Sequence, residues 1–306
     1  MKIGDKATAK EGMISAVYAD RVGVHAEGEE VTCWVRGRFK GQVKPVVGDR
    51  VRWEPQEEGV GNIIDMLPRT NALRRSQADR KRAHRASEAQ VLAANVELLV
   101  AVAAVRQPPL RPGLLDRILV AGACAGIPTA ICITKRDLDD TGAFAETAST
   151  YQPLGIPVVG TRTDTGNGLE ELARLLQGKV GMLVGHSGVG KTSLINQLEG
   201  QRHATQSVGF HKDRGRHTTT TARLIPLRDG GFIIDSPGVR EFGLHGIEAL
   251  ELATHYPDFA PHLDGCGFRD CLHREEPRCA VRAAMDAGEI GEGRYRNYLK
   301  LVEELL

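Results

Sequence analysis

The sequence carries almost no net charge: 40 Lys and Arg face 39 Asp and Glu, a formal balance of +1. That excludes a uniformly basic coat for nucleic acid and leaves room only for a local basic patch. Long hydrophobic runs are missing too. The most apolar stretch, residues 91–105, is 15 residues long and contains Asn95 and Glu97, where a bilayer span needs about 20 apolar residues. The opening residues Met1 to Lys6 are polar with no apolar segment behind them, so no export signal is expected. Cysteines number six (Cys33, Cys124, Cys132, Cys266, Cys271, Cys279). In a chain of this size without an export signal they do not make a disulfide scaffold, and a cytoplasmic protein is expected. At 41 % apolar and 26 % charged residues, a disordered or fibrous chain is excluded. The 306 residues suit two domains, or one large domain with appendages.

Short apolar runs at residues 13–17, 22–24, 31–35, 51–53 and 61–64 are punctuated by Glu27-Gly28-Glu29-Glu30 and Val46-Val47-Gly48-Asp49. This spacing predicts an N-terminal β-barrel of about five strands over residues 1–70, OB-like in first place and SH3-like in second. Trp34, alone in its strand, is read as a core residue. A basic connector follows at 71–92. Between residues 71 and 85 it holds Arg74, Arg75, Arg80, Lys81, Arg82 and Arg85 against Asp79. It reads either as a solvated linker or as a contact for a phosphate backbone. The barrel adds Arg36, Arg38, Lys40, Lys44, Arg50 and Arg52 around Trp34 and Phe39.

From residue 93 to 246 the pattern alternates buried strand and amphipathic helix. Strands are predicted at 96–105, 128–133, 156–159 and 181–184, with helices at 114–125, 144–151 and 169–176. This is an α/β domain with a mostly parallel sheet covered on both faces. Two more strands, 222–227 and 231–234, flank a turn. Residues 247–306 read as mainly helical and end in an amphipathic helix from Arg294.

The sharpest local signal is Gly185-His186-Ser187-Gly188-Val189-Gly190-Lys191-Thr192, a phosphate-binding loop between an apolar strand and a helix that continues through Ser193. Glycines let backbone N–H groups converge on phosphates, Lys191 reaches the β and γ groups, and Thr192 ligates Mg²⁺. Upstream, Thr134-Lys135-Arg136-Asp137 closes a buried strand. Asp137 there can accept from the paired N–H donors of guanine, which adenine lacks. Downstream, Asp235-Ser236-Pro237-Gly238 ends another strand. Asp235 is placed for Mg²⁺ and Gly238 for the γ phosphate. Between them Gly215-Arg216-His217-Thr218-Thr219-Thr220 has hydroxyls, Thr219 and Thr220 among them, able to complete a Mg²⁺ shell as a switch. The order is unusual: base element first, phosphate loop second, switches last. A cut and rejoined set of αβ units explains it.

Cys266, Cys271, His273 and Cys279 form C-x4-C-x-H-x5-C, a tetrahedral donor set for one structural Zn²⁺ with no open position.

These features together resemble the circularly permuted bacterial GTPases that act on the small ribosomal subunit (ribosome small subunit-dependent GTPase A). The resemblance spans nearly the whole chain, through the barrel, Asn95-Val96, residues 133–138, GHSGVGKT, GRHTTT, DSPGVREFGL and the cysteine cluster. It implies an N-terminal OB-fold, a permuted GTPase domain and a C-terminal zinc-binding domain. It also implies Mg²⁺-dependent GTP hydrolysis to GDP, stimulated by the small subunit, with 16S rRNA as partner and the protein acting as a monomer in late subunit maturation. Two departures stand out. The family favours Asn where this chain has Thr134. A lone hydroxyl reaches less far, so weaker nucleotide binding with retained guanine preference is expected. At Gly160 and Thr161 the family favours Ser-Ala-like residues, and backbone N–H groups are expected to serve guanine O6. The residue after the second-switch glycine is Val239, which cannot orient water, so His217 or the partner is expected to do so. An ATP-using P-loop enzyme is the alternative that nucleotide preference excludes. A non-catalytic RNA-binding assembly protein with a weakened nucleotide site is the alternative that measured turnover excludes.

Overall fold

The computed structural model describes residues 9–35, 44–74, 91–162, 165–199, 222–235, 244 and 247–306. The switch residues His217, Thr219, Thr220 and Gly238, with Val239, lie outside the described residues, as do Arg36, Arg38, Phe39, Lys40 and the connector from 75 to 90.

Five strands build the N-terminal module: β1 (Lys10–Val17), β2 (Arg21–Ala26), β3 (Glu29–Val35), β4 (Arg50–Pro55) and β5 (Val60–Met66). Their order is β1-β2-β3-β5-β4, and β4 pairs back onto β1. The β3–β5 pair is parallel and the others antiparallel. That closed Greek-key order is the OB-fold's and decides against the SH3-like reading. Inward residues alternate along each strand, and Ile14, Val22, Val24, Cys33, Val51, Trp53 and Ile63 fill the barrel. The expectation for Trp34 is overturned. It sits between inward Cys33 and Val35, faces outward and is 42 % exposed, while Trp53 at 5 % is the core indole.

After the barrel, β6 (Ala72–Arg74) and β7 (Val91–Ala94) pair as an antiparallel ribbon. The nucleotide-domain sheet then runs through β8 (Leu98–Ala104), β9 (Thr129–Thr134), β10 (Val158–Gly160), β11 (Val180–Val184), β12 (Arg223–Pro226) and β13 (Phe232–Asp235). The strands lie in the order β10-β9-β8-β11-β13-β12, all parallel except β12. β8 is buried at all seven positions, as a strand covered on both faces must be. Helices α1 (Pro112–Cys124) and α2 (Ala143–Tyr151) supply apolar residues to one face. On the other lie α3 (Leu169–Leu176) and α4 (Lys191–Glu199).

The C-terminal region is helical, as its pattern predicts, but in short pieces. Residues Leu252–His255 and Ala260–Gly265 form 3₁₀ turns, and α-helix is confined to α5 (Ala280–Asp286) and α6 (Glu292–Leu305). Their core is aromatic, with Tyr256, Phe259, Tyr295 and Tyr298 packed together. Among the described residues no helix is long and apolar enough to cross a membrane.

The barrel joins the nucleotide domain mainly through backbone and amide groups, with one half-exposed ion pair, Arg50 to Glu97, beside them. Ala16 of β1 pairs with Arg223 of β12, so one eleven-stranded sheet runs through both modules. Asn95, buried and left-handed at φ 53°, donates to Gly48 O (2.8 Å) and accepts from the Thr70 N–H (2.8 Å). Gly48 itself has φ +90°, and a Cβ there would lie 2.1 Å from Ala94 O, so only glycine fits. The C-terminal region, residues 247–306, which carries the predicted zinc ligands, instead joins through charge. Asp116 on α1 and Arg294 on α6 are both buried and ion-paired. Arg294 also holds Asp258 through Nη2 (2.6 Å) and Nε (3.0 Å). Asp116 additionally accepts from Tyr151 OH (2.9 Å) and Asn297 Nδ2 (2.7 Å). Burial pushes the Asp116 carboxyl up, against the pull of Arg294, Asn297 and Tyr151. Burial also works against the Arg294 charge, but Asp258 and Asp116 outweigh it and hold the guanidinium protonated.

Candidate nucleotide site and metal centre

Parallel strands all end on the same edge of a sheet, which is where such folds place ligands. Here that edge gathers Thr134 at the end of β9, Gly160 at the end of β10, Gly185 after β11 and Asp235 at the end of β13. β11 lies between β8 and β13. The phosphate loop therefore emerges between the base element on one side and Asp235 on the other.

The loop runs from the buried Val184 into α4. Gly188 and Gly190 take φ of +81° and +97°, the left-handed turns that swing successive N–H groups into one concavity. Val189 points down into the core, while His186, Ser187 and Gly188 are exposed. Lys191 donates to Gly185 O (2.7 Å) and His186 O (2.8 Å), which folds its ammonium over the loop. Thr192 and Ser193 are exposed on the first turn of α4, where the helix dipole favours anions.

Thr134 does more than its short side chain led us to expect. It is fully buried, and its hydroxyl reaches the phosphate loop, donating to Val189 O at 2.5 Å. Ala103 O lies 3.3 Å from the same oxygen. Thr134 thus straps the base strand to the phosphate loop from beneath. Lys135 forms a second strap above. Left-handed at φ 57°, it sends Nζ to Gly188 O (2.9 Å) and to Gln107 O. No sequence pattern pointed to Gln107, whose loop follows β8. Asp137 is exposed in the 3₁₀ turn Arg136–Leu138 beside these straps.

The expectation for Thr161 needs correction. Its N–H donates to Ile133 O at 2.8 Å and its side chain is fully buried beside Cys132. Its amide is therefore spent inside the sheet and does not face a base. Gly160 is packed against Arg136, where a Cβ would lie 2.2 Å from Cδ. The Arg136 guanidinium in turn lies 3.9 Å from the centroid of the Phe144 ring.

The second centre is the cysteine cluster. One ligand atom from each of Cys266, Cys271, His273 and Cys279 lies within 4.8 Å of the others. His273 Nδ1 is 3.5 Å from Cys266 Sγ and 3.4 Å from Cys279 Sγ. Tetrahedral zinc with thiolates at about 2.3 Å sets donor–donor edges of about 3.8 Å, so the four groups fit the ion. The shell around them is built as well. Cys279 caps α5 and accepts from Arg282 N–H (3.5 Å), Tyr295 OH donates to His273 O (2.5 Å) and Tyr298 OH to Leu272 O (3.0 Å). Glu276 accepts from the N–H groups of Leu272 (2.9 Å) and Arg274 (2.7 Å), fixing the loop between ligands. Burial pushes the Cys271 thiol up to about 12 and lowers His273. A neutral imidazole suits ligation, and a bound dication reverses the thiol shift.

A phosphate loop that follows Thr134–Asp137 in the chain and precedes Asp235, with all three on one sheet edge, is the motif order of a circularly permuted P-loop GTPase. Comparison with known proteins sharpens that class. Residues 66–245 match the RsgA GTPase family and residues 11–63 match the RsgA N-terminal domain. The chain belongs to the RsgA family. A protein named small ribosomal subunit biogenesis GTPase RsgA from Gemmatimonas aurantiaca is 40 % identical over 287 residues, covering 92 % of each chain. The protein of that name from Thermotoga maritima is 36 % identical over 304 residues, covering 97 % of each. Among solved structures, YjeQ from Thermotoga maritima superposes with a TM-score of 0.79 at 34 % identity, covering 97 % of this chain and 99 % of that one. YloQ, described as a circularly permuted GTPase, superposes at 0.76 with 29 % identity, covering 100 % and 98 %.

Proposed function

We propose that this chain hydrolyses GTP as a switch that acts on the small ribosomal subunit during its late maturation, in the cytoplasm, with 16S rRNA as its contact. The observation that carries this reading is the convergence of Asp137, the phosphate loop and Asp235 on one sheet edge within an RsgA-family chain. Each group then has a task. Asp137 accepts from the guanine N1–H and N2–H₂ edge, and Lys135 covers the base while bracing Gly188. Amides of residues 186–191 cradle the phosphates, and Lys191 leaves its loop carbonyls for the β and γ oxygens. Thr192 and Asp235, with Thr219, are the residues that would hold Mg²⁺, and the ion would supply positive charge to the phosphates. Gly238 offers its N–H to the γ phosphate, and Thr220 adds a hydroxyl from the same switch segment as Thr219. His217 orients the attacking water, as Val239 offers no amide to do so. A zinc ion held by Cys266, Cys271, His273 and Cys279 would be structural, since four protein ligands leave no open position.

The Thr134 strap bears on whether the site works. A buried hydroxyl that fixes Val189 O keeps the phosphate loop in shape, which favours an active site over a vestigial one. The test is steady-state hydrolysis by the purified chain, alone and with small subunits, with ATP as control. Slow GTP turnover that rises many-fold with the subunit, and no ATP turnover, is the expected result. Equal use of ATP, or no stimulation despite confirmed subunit binding, overturns the reading. Within it, H217A loses stimulated turnover with nucleotide affinity intact; unchanged turnover removes His217 from the mechanism.

A further inference from the structure

Trp34 projects from the barrel wall with 42 % of its surface in water. A solvent-facing indole adds nothing to the barrel core, which Trp53 already fills. Its neighbours make the position specific. Across β2 and β3 Arg21 pairs with Trp34, and across β3 and β5 Trp34 pairs with Asn62. The residues next to them in sequence, Val22, Cys33 and Ile63, are buried in the barrel. By the two-residue period of strands, Arg21, Trp34 and Asn62 therefore form one row on the outer face. Arg21 lies at the β1–β2 turn, closed by Tyr18 N–H to Arg21 O (2.9 Å), and its guanidinium is 5.5 Å from the Tyr18 ring centroid. The Asp20 carboxylate, 3.9 Å away and exposed, is a weak competitor for that charge.

The row combines a flat π surface, a cation and a carboxamide that both donates and accepts. That is the chemistry of an unpaired base with its phosphate: the ring stacks, the phosphate meets the guanidinium, and the amide reads the base edge. A base inside an A-form duplex is covered on both faces by its neighbours and offers no ring to stack on. The strand face and first hairpin of a five-stranded barrel of this topology are also where oligonucleotides dock.

We propose that Arg21, Trp34 and Asn62 seat one unpaired RNA base, with the indole stacking on it. The inference rests on the ribosomal role proposed above and names the contact chemistry on the barrel side. Trp34 and Trp53 are the two tryptophans of the chain, and Trp53 is only 5 % exposed, so quenching by a stacked base reports on Trp34. The full chain is titrated with a mixed-sequence single-stranded RNA about 12 nucleotides long and with an RNA duplex of equal length. Quenching is saturable with the single strand and absent with the duplex. Measured by anisotropy of a labelled strand, W34A weakens single-strand binding about tenfold, whereas W34F, which keeps a stacking ring, stays within about threefold of wild type. R21Q reduces the salt dependence of binding. Equal affinity of W34A and wild type, equal quenching by the duplex, or no quenching at all overturns the seat. A wild-type chain that shows subunit-stimulated GTP turnover but no quenching loses the seat alone. One that lacks stimulated turnover loses the function reading, whatever its fluorescence does.

Discussion

The two modules flanking the nucleotide domain are attached by opposite chemistry. The barrel is held by backbone ladders and amide side chains: the Ala16–Arg223 pairing, Asn95 to Gly48 and Thr70, and Asn71 to both N–H and O of Val96 (2.9 and 2.8 Å). The zinc module is held by a buried guanidinium between two carboxylates, Asp116 and Asp258. Neutral hydrogen bonds are individually worth about 1 kcal/mol net and fail gradually. A buried ion pair contributes little net stability when intact, yet breaking it strands a charge. The barrel is therefore expected to tolerate substitution at its seam better than the zinc module does.

Stripping the metal should produce the largest effect. With a chelator the four ligands lose their common partner, and the module loses tertiary order because metal binding and folding are one event there. Near-UV circular dichroism from Tyr256, Tyr295 and Tyr298 collapses, while the barrel and sheet keep their far-UV signal. Survival of the aromatic signal without zinc would show that Arg294 alone can hold the module. Next comes Arg294→Met, which leaves Asp116 and Asp258 buried without a counter-charge and costs about 3–5 kcal/mol in urea unfolding. Asn95→Ala should cost about 1–3 kcal/mol, through orphaned polar groups at Gly48 and Thr70. Were it as damaging as Arg294→Met, the contrast between the seams would fail. Smallest is Arg50→Gln. Its pair with Glu97, 3.6 Å apart and nearly half exposed on both sides, is screened by solvent, so the change stays within about 0.5 kcal/mol.

What the sequence made legible follows the range of the interaction. β8 shows as an unbroken apolar run because both faces are covered, and α3 shows its period because one face is wet. The phosphate loop and the zinc ligands are local spacings, readable without a fold. Trp34 was not legible, since strand alternation leaves either face open until the barrel closes. Neither was the Thr161 amide, whose acceptor belongs to Ile133 on another strand. Least legible was the Arg294–Asp116 contact, 178 positions apart in the chain. In a sequence with 79 charged residues nothing local marks those two as partners.

The strand pairing between β1 and β12 has a further consequence. β12 is bound along its length to β13 on one side and meets the barrel at the Ala16–Arg223 pair on the other, so the barrel covers the start of that margin. A chain begun after the barrel, at residue 71, would present Arg223–Pro226 as an unpaired edge. Such edges recruit other strands. The shortened protein is therefore expected to self-associate in a concentration-dependent way by light scattering. On that expectation the OB-fold, whatever it grips, also shields the start of this sheet margin.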